Sequence, residues 1–314
     1  MPKKIKFIDL FAGIGGFHLA LHKLGAECVY ASEIDEEARK TYETNFKKIS
    51  PNLFKSNNKF FNKDILMEDY STIPNFEILC AGFPCQPFSQ AGYKRGFGEN
   101  YESRGNMFFA IRDIIKAKKP KAIFLENVRH LVNHDNKKTF RIIRETIEDD
   151  LKYSFNFSIV KASDYGLPQH RPRVFIVGFR NEKTEMSDFI FPPKIPLRFN
   201  MSDVFKGKCD REIGFTLRVG GGRSGINDRR NWDGYRVNKK IVRLTSKEGK
   251  KMMGYPSSFK LPVSESHAMK QLGNSVAVPA VRYVAKQMLK YLQNRKSFKT
   301  INKNVKLNLI NYEQ

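Results

Sequence analysis

The start of the chain limits its fold most. Ile5 to Leu10 alternates like a strand and runs into the loop Phe11-Ala12-Gly13-Ile14-Gly15-Gly16, after which Phe17 to Leu24 reads as a helix stopped at Gly25. A glycine loop between a strand and a helix lets backbone amides approach a ligand at the helix N-terminus. Glycines of this kind also serve turns that hold no ligand, so the next strand matters. Glu27 to Ala31 ends in Ser32-Glu33, and a carboxylate there accepts hydrogen bonds from both hydroxyls of a ribose. The expected ligand carries a ribose and need not be NAD.

The same alternation continues. A helix is expected over Glu36 to Phe46, strands over Phe76 to Ala81, Ala122 to Leu125 and Val174 to Gly178, and helical stretches near Asn106 to Lys118 and Lys137 to Leu151. Strand and helix in turn predict an α/β fold with a doubly wound, mostly parallel, Rossmann-like sheet. Beyond Phe179-Arg180 the pattern breaks into Pro192-Pro193, Pro196 and a glycine run from Gly220 to Gly225. We therefore expect a large domain over 1–181, a smaller irregular domain over 182–270, and a return to the large domain over 271–314. In that last part Val281, Val284, Ala285, Met288, Leu289 and Leu292 have helical spacing, and the basic tail from Asn294 is expected to be loosely held.

Charge names the class of partner. The 314 residues hold 56 Lys and Arg against 32 Asp and Glu, a net charge of +24, the balance of a protein that binds a polyanion. Cys28, Cys80, Cys85 and Cys209 form no CxxC pair, which fits reduced thiols in a cytosol. The apolar run at the N-terminus is too short for a signal peptide, and no run of about 18 apolar residues offers a membrane span. The expected location is cytoplasmic.

Two strand ends carry reactive groups. Ala81-Gly82-Phe83-Pro84-Cys85-Gln86-Pro87-Phe88-Ser89 follows a strand, at the edge where parallel sheets place their sites, and Pro84 and Pro87 bracket Cys85 in a stiff loop unlike a core position. Leu125-Glu126-Asn127-Val128 ends another strand and puts a carboxyl group at the same edge.

With FAGIGG, GFPCQPFS, ENV, QHRPR and GNSV in this order, nearly the whole chain resembles the cytosine-5 DNA methyltransferase family of bacterial restriction and modification systems. The resemblance implies Cys85 as nucleophile, Glu126 as acid, and Arg173 with its neighbour Arg171 as ring-binding cations. It implies S-adenosylmethionine as cofactor, S-adenosylhomocysteine as product and no metal. Phe11 would pack on the adenine, Glu33 bind the ribose, Asp64 take the adenine amine, and Asn274 lie near the methionine moiety, with Gly13, Gly15, Gly16, Ile65 and Pro84 completing the site. Many relatives carry a bulky aromatic after the ribose glutamate, whereas Ile34 stands here.

The chemistry asks for such a set independently. Carbon 5 of cytosine is a poor nucleophile until a thiolate adds at carbon 6, and the ring anion so formed needs an acid and a cation. A duplex hides that ring in its stack, so the base must be flipped out. The Gly-rich stretch from Gln86 to Arg104 is expected to close as a lid, with Lys94, Arg95 and Arg104 on phosphates and Gln86 and Ser89 also at the DNA. In the small domain Arg218, Arg223 and Arg230 are candidates for reading base edges, and Trp232 suits either a core or a base contact. The pairs His18/His22 and His130/His134 have one-face helical spacing but no third ligand, and read as packing or surface residues.

Double-stranded DNA is the expected partner, the protein acting as a monomer and any cognate restriction endonuclease being a functional rather than a physical partner. One family branch methylates a transfer RNA cytosine with the same residues and carries a Cys-Phe-Thr signature. The matching stretch here is Gly214-Phe215-Thr216-Leu217, without the cysteine. A DNA-binding module without catalysis would not need Cys85, Glu126 and both arginines, and amino-group methylation would need an Asp/Asn-Pro-Pro-Tyr/Phe segment, which the chain lacks.

Overall fold

The computed structural model describes residues 4–55, 60–84, 107–220 and 222–310, with side chains up to Arg295. Strands β1 (Lys6–Leu10), β2 (Glu27–Ser32), β3 (Phe61–Asn62), β4 (Ile78–Gly82), β5 (Ala122–Val128), β6 (Asn156–Lys161) and β7 (Pro172–Phe179) form one sheet in the order β3-β2-β1-β4-β5-β7-β6. All neighbours pair in parallel except β7, which runs antiparallel to both β5 and β6. The mostly parallel, doubly wound sheet expected from the alternation is present. Two strands escaped the sequence reading. β3 is only two residues long, and β6 is an edge strand whose alternation leaves Phe157 and Ile159 partly exposed.

Four helices connect and cover these strands: α1 (Gly16–His22), α2 (Glu36–Phe46), α3 (Met107–Lys118) and α4 (Lys138–Glu145). The helix expected to reach Leu151 stops at Glu145 and continues as a wider π-type turn over Thr146–Asp150. From β1 the chain winds outward through α1, β2 and α2 to β3, then crosses back to β4 and β5 on the other side of β1. The order therefore reverses between β1 and β4, which opens a crevice at their carboxyl ends.

Strand side chains alternate between two apolar layers. Phe7, Cys80, Phe124, Phe175 and Val177 face one side, and Ile8, Leu10, Leu79, Leu125 and Ile176 face the other. The second layer is closed by α3 and α4 through Ile111, Ile114 and Ile143. In the first layer α1 lies along α8 (Val278–Ile310), which presents Val281, Val284, Ala285 and Met288. That helix continues through the segment expected to be a loose tail. Gly16 lets the start of α1 approach the segment just before α8, since a Cβ there would lie 2.4 Å from Val276 Cγ2.

Between β7 and α8 lie the short α5 (Met201–Phe205), a hairpin of β8 (Gly234–Val237) and β9 (Lys240–Arg243), α6 (Ser246–Met253) and α7 (Glu265–Asn274). Trp232 is buried here and donates its indole N–H to Gly220 O at 3.1 Å, a core position. Gln169 ties this region to the sheet by donating to Met252 O and accepting from Leu217 N–H, both at 3.0 Å. Residue 270 falls inside α7, and that helix packs toward α2, with Thr41 Oγ1 donating to Gln271 Oε1 at 2.9 Å.

Candidate active site

The crevice is a cleft of about 900 Å³. Its floor comes from the strand ends: Phe11 and Gly13 after β1, Ser32 to Asp35 after β2, Asp64 and Ile65 after β3, Gly82 to Pro84 at β4, and Glu126 to Val128 at β5. Arg173 and the α7 residues Lys270, Gln271, Gly273 and Asn274 close the far side. Cofactor candidates Phe11, Gly13, Glu33, Ile34, Asp64, Ile65, Pro84 and Asn274 thus share one cavity with Glu126 and Arg173.

Glu33 is held before any ligand arrives. Its Oε2 accepts from Gly13 N–H at 2.7 Å and its Oε1 from Asp35 N–H at 2.8 Å. Burial raises its carboxyl above the usual range, and these amides oppose that shift. At the neighbouring strand end Asp64 Oδ1 accepts from Leu66 N–H at 3.0 Å. Carboxylates at neighbouring strand ends, with Phe11, Ile34 and Ile65 lining the same cavity, suit a ribonucleoside, whose diol and amine donate while its ring faces are apolar. The residues present therefore fit the cofactor that the resemblance implies.

Gly15 and Gly16, expected beside the cofactor, lie off the cleft wall. Gly15 has φ +81°, and a Cβ on it would lie 2.2 Å from Phe46 Cε2. Gly16 backs onto Val276 and Tyr255. Both let the helix start close against its neighbours. The start itself is capped from outside. Gly15 has no side chain to offer, and Asp9, fully buried on β1, accepts from His18 N–H at 3.2 Å.

At the other end Glu126 is 8% exposed and its Oε1 lies 3.1 Å from Arg173 Nε. Burial raises the Glu126 carboxyl above its ordinary range, although Arg173 and Arg171 pull the other way. A carboxyl so poised keeps its proton more readily while a cation stands beside it. Antiparallel pairing makes this juxtaposition, because β7 begins where β5 ends and sets Arg173 opposite Val128. Asn127, quoted in its motif but given no role, donates to Phe83 O at 2.8 Å and pins the approach to Pro84.

Arg171 lies elsewhere. It is wholly buried and donates to Leu217 O at 3.3 Å, Gly273 O at 2.8 Å and Ser275 O. Burial, with repulsion from Arg173, lowers its guanidinium to about 9, so it stays charged at neutral pH. Its neighbourhood is that of a strut joining β7 to two later segments, not of a group facing the cleft. Strand alternation would put residues two apart on one face, and the two arginines separate because the strand begins at Pro172 and leaves Arg171 outside it.

The stretch expected to close as a lid, with the DNA-contact candidates Gln86, Ser89, Lys94, Arg95 and Arg104 and the nucleophile candidate Cys85, lies outside the described residues. In the small region Arg230 pairs with Asp228 at 2.7 Å. Arg223 uses its backbone N–H, at φ +68°, on Asp233. Arg218 is exposed and borders a separate cavity of about 420 Å³, together with Arg211, Arg229 and His170. His18 is buried between Tyr42 and Ser50 at 2.7 and 2.9 Å, and burial lowers its basicity. Among the described residues no three His, Cys, Asp or Glu converge as metal ligands, and no helix is long and apolar enough to cross a membrane.

Comparison with known proteins places this geometry. The family model for C-5 cytosine-specific DNA methylases matches residues 5–218 and 210–290. The chain is 36% identical over 320 residues to the type II methyltransferase M.HhaI of Haemophilus parahaemolyticus, covering 90% of this chain and 93% of that protein. It is 36% identical over 342 residues to the type II methyltransferase M.HpaII of Haemophilus parainfluenzae, covering 94% and 92%. Among solved structures, a putative DNA modification methyltransferase from an Escherichia coli prophage superposes with TM-score 0.68 at 20% identity, covering 92% of this chain and all of that one. A DNMT2 from Spodoptera frugiperda gives 0.68 at 19%, covering 91% and 100%. These two show the shared fold, while the family model and the sequence relatives decide membership: the chain belongs to the C-5 cytosine-specific DNA methylase family.

Proposed function

We propose that the protein is the modification enzyme of a restriction-modification system. It methylates carbon 5 of a cytosine flipped out of a short specific duplex sequence, with S-adenosylmethionine as donor and S-adenosylhomocysteine as product. The observation that carries this reading is the single cleft with the paired carboxylates Glu33 and Asp64 at one end and the Glu126–Arg173 pair at the other. One end suits a nucleoside cofactor and the other a cytosine ring.

Cys85 is the nucleophile in this reading. Its thiolate adds to carbon 6, Glu126 gives a proton to N3, and Arg173 holds the O2 oxygen. S-adenosylmethionine, when bound, supplies an electrophilic methyl carbon for carbon 5. The carbon 5 hydrogen then leaves as a proton to solvent, its electron pair re-forms the ring double bond, the carbon–sulfur bond breaks to release the Cys85 thiolate, and N3 returns its proton to Glu126. Asn127 keeps Phe83 and Pro84 in place ahead of Cys85. Glu33, Asp64, Phe11 and Asn274 hold the cofactor, with Gly13 orienting Glu33.

Residues 182–270 form the target-recognition domain, and 1–181 with 271–314 form the catalytic and cofactor-binding domain. Arg218, Arg223 and Arg230 remain candidates for base contacts. Arg211 and Arg229 join them, because among the described residues neither has a carboxylate within ion-pair distance and both border the cavity that Arg218 lines. The protein acts as a monomer on double-stranded DNA in the bacterial cytosol, needs no metal, and meets its restriction endonuclease only through their shared target. Relatives at 36% identity are named as type II methyltransferases, which supports DNA over the transfer RNA alternative. Bisulfite sequencing of DNA from cells expressing the protein tests the whole reading. Expected is methylcytosine at one recurrent short sequence, and unmodified DNA beside a methylated transfer RNA would reverse it.

A further inference from the structure

One side chain outside the cleft grips both of the strand ends that lead to its carboxylates Glu33 and Asp64. Arg39 sits on the first turn of α2, and its Nη1 donates to Glu33 O at 3.1 Å and to Asn62 O at 2.6 Å. Its Nη2 donates to Phe61 O at 2.9 Å, and the guanidinium lies 4.1 Å from the centre of the Phe61 ring. Glu33 is the carboxylate after β2, and Asn62 ends β3 two residues before Asp64.

The ladder between these strand ends is thin without it. β3 contributes only the register pairs Ala31 with Phe61 and Ser32 with Asn62, and the last ladder bond, from Glu33 N–H to Asn62 O, is 3.2 Å long. A planar guanidinium stacked on a ring and donating to three carbonyls fixes both position and angle, which an ammonium cannot do. Glu33 is also held at its carboxylate by Gly13 and Asp35. The Arg39 contact secures its main chain, so little freedom is left to lose when a ligand binds.

We infer that Arg39 is a positioning residue for the adenosine half of the cofactor, fixing the β2 and β3 ends that carry Glu33 and Asp64 relative to each other while touching neither cofactor nor DNA. This rests on the cofactor reading given above. Arg39 acts on binding and not on the reacting atoms, so its loss should separate affinity from turnover.

The test measures calorimetric affinity of wild type, Arg39→Gln and Arg39→Lys for S-adenosylmethionine and for adenosine, with single-turnover rates at saturating cofactor and affinity for target DNA. Expected for Arg39→Gln is a weakening of about tenfold toward both small molecules, from the loss of charged hydrogen bonds. Rate at saturation and DNA affinity should stay within about twofold of wild type, and Arg39→Lys should fall between. If Arg39→Gln does not fold, Arg39→Lys decides alone by the same split. Unchanged affinity for both small molecules overturns the inference, as does a parallel fall in saturated rate and DNA affinity, which would mark a general loss of structure. Wild type that binds neither molecule would refute the cofactor reading instead.

Discussion

The Arg173 guanidinium meets the Glu126 carboxylate at 3.1 Å across an antiparallel strand pair, joining residues 47 apart in sequence at the end of one cleft. Arg173 favours the charged carboxylate and burial the neutral one, and burial is the larger influence. Glu126 is therefore a carboxyl that holds its proton above the usual range.

Replacing Glu126 by Gln removes the proton donor while keeping shape. Turnover should drop on the order of 10² or more, with DNA affinity near wild type. The sign of the pH effect follows from the raised pKa. The acid form is complete at low pH and is lost as pH rises through the elevated value, so the wild-type chemical step should slow on the alkaline side. The residual rate of Glu126→Gln should lack that limb. Single-turnover rates against pH for both proteins check this, and matching rates would remove Glu126 from the acid role.

Cys85→Ser should abolish methyl transfer and leave cofactor affinity unchanged, because a serine hydroxyl is far too weakly acidic to add to carbon 6 at neutral pH. Target DNA containing 5-fluorocytosine should trap the wild type covalently, with the adduct on the peptide that holds Cys85. An adduct on another residue would move the nucleophile.

Arg171 and Arg173 should part under the same substitution. Arg171→Met leaves three carbonyls without their buried donor, a loss on the order of 3 kcal/mol or more in stability. Arg173→Met should cost turnover first and stability little. Urea unfolding beside single-turnover assays separates them, and equal stability losses would contradict the strut reading of Arg171.

In the segment proposed to read the target, Arg218→Ala and Arg229→Ala should each cost about 1 to 3 kcal/mol and relax one base position. Arg230→Ala should cost less, since Asp228 already engages that guanidinium. Methylation of a randomised target library reads all three. Uniform weakening without altered preference would reassign these arginines to phosphates, and transplanting 182–270 from a relative of known target should move the methylated sequence.

Local chemistry carried much of this in the sequence. The glycine loop, the carboxylate after β2 and the residues after β4 and β5 follow from strand periodicity and turn composition, both properties of short segments. A parallel sheet gathers strand ends at one edge, so these groups could be assigned to one site before any coordinates. Membership was legible too, since its motifs are contiguous in the chain. Contacts between distant segments were not. That Arg171 turns into the protein while Arg173 faces Glu126 depends on β7 starting only at Pro172 and on Leu217, Gly273 and Ser275 arriving beside Arg171. That Gly15 and Gly16 serve close packing depends on Phe46 and Val276 arriving from elsewhere. Arg39 has no local signature, because its role exists only once α2 lies against β3. Periodicity says which way a side chain points, and only packing says what it meets.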